Sequence, residues 1–498
     1  MHYLSYVSLA VYFIAMLAIG LFAYKQSTSD VSGYILGGRK VSPQVTALSA
    51  GASDMSGWML MGLPGAMFLV GFETIYIALG LLLGALINYL IVAPKLRVYT
   101  EVADNALTIP EFFAKRFHAP SSNIRIIAAV IIVIFFTLYT SAGLVAGGKL
   151  FESAFGLNYE LGLVITLGVV VSYTLLGGFL AVSLTDFVQG CIMFVALILV
   201  PVVAYQEFSN ADKMMNFAYE SIPHFGEAMQ NVTLLGLISS LSWGLGYFGQ
   251  PHIIVRFMAI RCVSDIKMAK NIGMSWMMVT IVGALATGLV GIAYANKFEM
   301  KLSDPETIFI VFSELLFHPM ISGFLLAAIL AAIMSTISSQ LLVSSSSLTE
   351  DIYRVVSKRE ATEKQMVAMG RYGVAGVAIV ASVLAMDRSN SILSLVSNAW
   401  AGFGAAFGPL ILFSLYKRNL THKAAIVGIV SGATTVLFWI YAPVLANGQA
   451  LTSVIYEMIP GFLVSSAAIW ITSALDSEPC ENTVDTFNKA GRVLAEQR

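Results

Sequence analysis

The chain has 498 residues, 57% of them apolar and 11% charged, with a formal net charge of −1. Soluble domains carry roughly 25% charged residues, so this chain lacks the side chains to cover a water-exposed surface. Composition therefore excludes a soluble enzyme, a disordered chain and a nucleic-acid binder, since no basic tract is long enough to follow a phosphate backbone. Three cysteines, Cys191, Cys262 and Cys480, have no metal-ligand spacing and are too few for a disulfide framework. The sequence reads as a polytopic membrane protein.

Apolar segments follow one another at 5–24, 43–70, 74–96, 123–149, 158–180, 184–206, 231–250, 271–295, 319–348, 366–386, 391–416, 424–444 and 451–475. Most exceed the roughly 20 residues that cross a bilayer as helix, and no β-type alternation points to a barrel. The spacing predicts an all-α protein with thirteen transmembrane helices. No Lys or Arg precedes Lys25, so the first segment is read as a span and not as a cleavable leader. Gly- and Ala-rich runs such as AGFGAAFGPL predict close helix packing.

Basic residues set the orientation. With the N-terminus outside and the C-terminus inside, 23 of the 28 Lys and Arg fall in inner loops or the tail, Arg256 among them. Only Lys149, Lys213, Lys297, Lys301 and Arg388 fall outside. Such a split follows the positive-inside rule.

Two segments are too polar and Gly-rich to be continuous lipid-facing helices. Segment 43–70 contains SAGASDMSG, and segment 231–251 contains SSLSWGLGYFGQP. Non-helical backbone at membrane depth needs cover from protein or a water-filled cavity. These are spans 2 and 7, and the five-span offset gives two halves of opposite orientation, the inverted repeat of secondary transporters. The expected division is 1–42 (first helix and inner loop), 43–206 (spans 2–6), 207–416 (spans 7–11), 417–475 (spans 12–13) and 476–498 (tail). The competing reading of both Gly/Ser runs is a packing face.

Among the acids, Asp54, Asp186 and Glu457 fall at or near membrane depth. An Asp there is costly. Asp54 lies inside the first break, where it is either ion-linked or a cap for exposed amides; Glu457 has no evident partner and can snorkel. Segment 319–348 places Ser335, Ser338 and Ser339 on one helix face with Thr336 beside it. Such hydroxyls either bond back to their own helix or, beside a broken helix, supply oxygen ligands to a hard cation. On span 7, Trp243, Tyr247 and Pro251 recur at i, i+4 and i+8, with Trp58 and Met59 as partners for an apolar box; the alternative is ordinary core.

The runs GGRKVSPQVTALSAGASDMSGWMLMGLPG, SWGLGYFGQPHIIVRFMA and AAIMSTISSQLLVSSSSLTEDIY resemble the solute:sodium symporter family, and within it the bacterial sodium/proline symporters. The resemblance spans essentially the whole chain. It implies a leucine-transporter-type fold of five-plus-five inverted helices, with one helix before and two after. It implies Na+ as coupling ion without an organic cofactor, L-proline as solute, membrane lipid as surroundings and no obligate protein partner. The sodium ligands it implies are the carbonyls of Ala52, Met55 and Ala332 with the hydroxyls of Ser335 and Thr336. Asp54, Ser56 and Gly57 match positions that couple ion to solute, and Asp186 with Ser335, Ser338 and Ser339 offers a set for a second sodium. Tyr139, Trp243, Tyr247 and Pro251 are implied in the solute pocket, and Arg39 in an inner gate, although topology alone also accounts for Arg39. Glu73 falls at the outer end of span 2, in a vestibule or a solvated loop. The expected location is the bacterial inner membrane. A channel, a membrane enzyme and a sensor fit less well, lacking respectively a continuous polar lining, a nucleophile–base pair and a large soluble domain. The nearest rivals are a proton-driven carrier and a carrier of pantothenate, a sugar or sialic acid.

Overall fold

The computed structural model describes residues 3–26, 31–119, 121–221, 233–357, 362–387, 391–445 and 448–497. Lys358, Arg359, Arg388 and Arg498 of the charge count, and the first two residues of segment 231–250, lie outside them. No strand occurs among the described residues; an isolated bridge pairs Val41 with Ile260. The main helices are α1 (Tyr3–Gln26), α2 (Pro43–Asp54), α3 (Leu63–Val70), α4 (Thr74–Ile87), α5 (Ala93–Val102) and α6 (Asn123–Phe155). Then come α7 (Tyr159–Tyr205), α8 (Leu234–Leu241), α9 (Pro251–Ala259), α10 (Asp265–Lys297) and α11 (Pro319–Ser346). The chain closes with α12 (Glu363–Leu384), α13 (Ile392–Tyr416), α14 (His422–Tyr441), α15 (Met458–Leu475) and α16 (Glu481–Glu496).

Among the described residues, ten helical runs are long and apolar enough to cross a membrane, and Tyr159–Ser172 and Leu234–Phe248 are shorter apolar helices. These runs do not match the thirteen expected segments, for two physical reasons. Segments 43–70 and 231–250 are indeed interrupted, and the run Trp58–Val102 continues through Gly71, which joins α3 to α4 with φ 71°. In place of the expected loop between 180 and 184, the turn within α7 falls at Gly178.

The two breaks have different causes. In the first, α2 ends at Asp54, Met55 takes φ −83° and ψ 78°, and a π-type turn, Trp58–Gly62, leads into α3. In the second, α8 tightens into a 3₁₀ stretch, Ser242–Phe248, and the chain straightens at Gln250 (φ −79°, ψ 106°) before Pro251 starts α9. Proline suits that first helical position because its missing N–H would have no helical partner there. The segment leading into α2 and the end of α9 are tied together: Val41 N–H donates to Ala259 (3.3 Å), and Arg261 N–H donates to Val41 (3.1 Å).

Burial separates interior from periphery. Of the most apolar window, 83% is buried in Pro319–Val356 and in Ile392–Tyr416, against 22% in Met458–Leu475. Helices α11 and α13 therefore form the interior, and α15 presents most of its surface outward. In α13 the expected close packing is present, with the run from Ala399 to Ile411 wholly buried.

Gly178 has φ 57° and ψ −156°, a region nearly restricted to glycine, and a Cβ there would lie 2.7 Å from the Tyr34 ring. Gly178→Ala is expected to destabilise the protein by about 1–3 kcal/mol. Thermal unfolding of the purified protein in detergent checks this against Gly168→Ala, where a Cβ meets open space and no loss is expected.

Candidate ion and solute site

A helix that stops at Asp54 leaves its last carbonyls without intrahelical partners. Inside a bilayer each must find a donor. Gly51 accepts from Met55 N–H (2.9 Å). The Ala52 carbonyl points at α11, where Ser335 Oγ donates at 2.7 Å and Thr336 Oγ1 at 3.4 Å. Ser335 Oγ also lies 3.1 Å from the Ala332 carbonyl. The Asp54 carbonyl accepts from Ser56 N–H (3.0 Å), Trp58 Nε1 (3.0 Å) and Tyr139 Oη (3.4 Å). Met55 turns its ψ to 78°, which swings its carbonyl off the helix axis.

Ala52, Ala332, Ser335 and Thr336 thus converge from two helices 280 residues apart in sequence. Their oxygens face the C-terminal, partially negative end of α2. An oxygen-only cluster at such an end suits a hard monovalent cation. Gly57 explains the close approach: a Cβ there would sit 2.7 Å from the Ala146 Cβ and 3.2 Å from Ile333, so only glycine lets the break press against α6 and α11. Ser56 caps locally, its Oγ accepting from Trp58 N–H (3.4 Å).

Asp54 itself is 1% exposed. Its Oδ2 accepts from Tyr247 Oη, while Oδ1 has no partner. No cationic side chain pairs with it among the described residues. A buried carboxylate left this way is costly unless it is protonated or meets a positive charge. Beside it lies a cavity of about 30 Å³ lined by Gly51, Asp54, Met55, Asn88, Tyr89 and Tyr247, among others. That is room for about two waters, so the surrounding helices must part to admit a solute.

Asp186 has a different environment. Its Oδ2 accepts from Ser49 Oγ (2.7 Å), Arg256 Nη2 (3.1 Å) and Ser339 Oγ (3.4 Å). Of the hydroxyls expected with Asp186, only Ser339 reaches it. Ser335 turns to Ala52, and Ser338 bonds back to the Ser335 carbonyl (3.0 Å). Arg256 is 1% exposed, so it does not belong among the inner-loop charges.

The expected single face of Trp243, Tyr247 and Pro251 does not form, because the 3₁₀ stretch and the kink at Gln250 change the helical period. Trp243 stacks on Tyr456 (5.3 Å), Tyr247 packs edge-on to Trp400 (5.1 Å), and Pro251 lines a separate cavity with Ile35 and Thr108. Tyr139 lies edge-on to His252 (5.9 Å), and Met59 is buried in the turn after the break. Glu73 is exposed, and Glu457 is buried with Thr452 Oγ1 donating to it (2.6 Å), so it does not snorkel.

Arg39 joins the chain before α2 to two other segments. It donates to Asn105 (2.8 Å), Thr100 (3.1 Å) and the carbonyls of Met258 (2.6 Å) and Ala106 (2.7 Å). Burial, with Arg97 nearby, lowers its pKa to about 10, so it stays charged at neutral pH. Sequence reasoning missed Ser49, Asn88, Tyr89 and the pairing of Arg256. Arg256 carried a readable signal, a lone charge inside the apolar run PHIIVRFMA.

The sodium:solute symporter family model matches residues 34–432. The chain is 54% identical over 492 residues to the osmoregulated proline transporter OpuE of Bacillus subtilis, covering 99% of each. It is 50% identical over 497 residues to a sodium/proline symporter of Staphylococcus aureus, covering 99% of this chain and 97% of the relative. In fold it is similar to a Na+-coupled sialic acid symporter in a substrate-bound outward-open state (TM-score 0.79, 18% identity, 96% of this chain and 99% of that one). A nucleobase-cation-symport-1 family transporter, Mhp1, gives TM-score 0.53 at 15% identity, covering 91% and 98%. The chain belongs to the sodium:solute symporter family and is a multi-pass membrane transporter, not an enzyme.

Loss of the Arg39 bonds should loosen the segment they hold. With the three native cysteines changed to serine, a cysteine in place of Leu107 is expected to react several-fold faster with a hydrophilic maleimide in Arg39→Gln. An unchanged rate would show that the Arg39 bonds do not hold this segment in place.

Proposed function

We propose that this member of the family imports L-proline with sodium by alternating access across a bacterial plasma membrane. The observation that carries the reading is the 2.7 Å contact between Ser335 Oγ and the Ala52 carbonyl. It joins the break in span 2 to the hydroxyl face of span 9. Sodium binds among the carbonyls of Ala52, Met55 and Ala332 and the hydroxyls of Ser335 and Thr336. The names of relatives at 54% and 50% identity support proline as the solute.

Proline enters next to the ion. Its carboxylate meets N–H groups at the start of the second half of the broken helix, where the helix dipole favours an anion. Its ring packs against Trp58, Met59, Tyr139, Trp243 and Tyr247. Asp54, with Oδ1 unpartnered, senses both cations and links them; Ser56 and Gly57 set the geometry of the turn. Pro251 acts by starting α9, and Arg39 by closing the inner side. Residues 43–206 and 207–416 are the two inverted repeats, with the N-terminus outside and the C-terminus in the cytoplasm.

The energetics suffice. One charge moving inward across 100 mV supplies about 2.3 kcal/mol, and a tenfold sodium gradient adds about 1.4 kcal/mol. Together they sustain a proline ratio of several hundred to one.

Radiolabelled proline uptake into proteoliposomes under imposed sodium or proton gradients tests the reading. Uptake should follow sodium, and excess pantothenate, sugar or sialic acid should not compete. Ser335→Ala should raise the half-saturating sodium concentration about tenfold, equivalent to about 1.4 kcal/mol, and recover at high sodium. Asp54→Ala should abolish uptake. Unaltered sodium dependence in both variants would reject the ion assignment.

A further inference from the structure

Asp186 meets an arginine and two hydroxyls through Oδ2, while its buried Oδ1 has no hydrogen-bond partner. Asp186 Oδ2, Ser49 Oγ and Ser339 Oγ converge from α7, α2 and α11, and the Arg256 guanidinium lies among them. Its Nε donates to Ser49 (3.1 Å), its Nη2 to Asp186 (3.1 Å) and Ser339, and its Nη1 to the His252 carbonyl. Carboxylate and guanidinium are both buried. One negative charge is met by one positive charge, and a sodium ion added there would leave a net positive charge in a low-dielectric interior, beside a guanidinium. Phe179 closes another side, with its ring 5.4 Å from the guanidinium carbon.

We propose that Arg256 is a tethered cation that takes the place of a second sodium ion, so that the carrier moves one sodium per proline. Because it is covalently bound to α9, its bridge between α2, α7 and α11 does not depend on sodium concentration. A neutral residue at 256 leaves Asp186, Ser49 and Ser339 as an oxygen set with one uncompensated charge, which a sodium ion can fill. The inference rests on the sodium-coupled reading above, and the two fail differently. Uptake driven by a proton gradient without sodium refutes that reading, whereas sodium-driven uptake with two ions per proline refutes this one.

The experiment measures the ratio of ²²Na+ to labelled proline entering proteoliposomes, with the Hill coefficient for sodium, using the full-length protein. The wild-type chain and Arg256→Lys should both give a ratio and coefficient of about one. Arg256→Gln should move both toward two, and the doubly neutral Asp186→Asn/Arg256→Gln should return them to one. A wild-type ratio of two, or an Arg256→Gln ratio of one with unchanged half-saturation by sodium, overturns the proposal. If Arg256→Gln does not fold or transport, the double variant decides. Transport at one sodium per proline supports the tethered cation, and an inactive double variant overturns it.

Discussion

A helix that stops halfway through a bilayer must satisfy its last carbonyls without water, and this requirement organises the centre of the molecule. At the end of α2 the solution is not a local cap. Ala52 finds its donors on α11, and Asp54 finds Trp58 and Tyr139. The break is therefore stable only while α2, α6 and α11 stay packed together. Gly57, the one residue small enough to pass Ala146, permits that packing. Hydroxyls that satisfy a carbonyl with their hydrogen keep lone pairs free, so the contacts that hold the break in place also present oxygens to a cation.

Asp54 and Asp186, two of the buried carboxylates, differ in their electrostatics. Asp186 is paired with Arg256 and fixed by two hydroxyls. Asp54 has only the Tyr247 hydroxyl and faces a small cavity. Both leave Oδ1 without a hydrogen-bond partner; the difference is that Asp186 has a guanidinium on its other oxygen and Asp54 has a neutral hydroxyl. On the proposed reading, sodium and the solute ammonium share the field of Asp54. Each is then bound more tightly when the other is present, which is what coupling between sites means. Arg39, on the chain leading into α2, ties the same broken helix to Met258 at the end of α9, so movement of either broken helix is felt at this latch.

Much of the centre was legible because backbone breaks leave strong marks: SAGASDMSG and SWGLGYFGQP are both polar and Gly-rich at membrane depth. The hydroxyl face of α11 was legible for the same reason, since helical spacing alone brings Ser335 and Ser339 to neighbouring positions. What spacing could not give was the direction each hydroxyl takes. Ser335 turns to Ala52, Ser338 to its own helix and Ser339 to Asp186, and each choice depends on which helix lies opposite. The Trp243–Tyr247–Pro251 stripe failed because it assumed one helical period across a break. Arg256 was counted with the inner loops because a charge census cannot distinguish a solvated arginine from one paired with a carboxylate 70 residues earlier.

The central claim is that a sodium ion bridges the broken end of α2 to the hydroxyl face of α11. Hydrogen–deuterium exchange of the purified protein, compared in sodium and in potassium at equal ionic strength, tests it most directly. The account predicts slower exchange in sodium for peptides covering residues 50–60 and 330–340 together, and Ser335→Ala should remove that protection. Protection confined to other helices, or none at either segment, would contradict it.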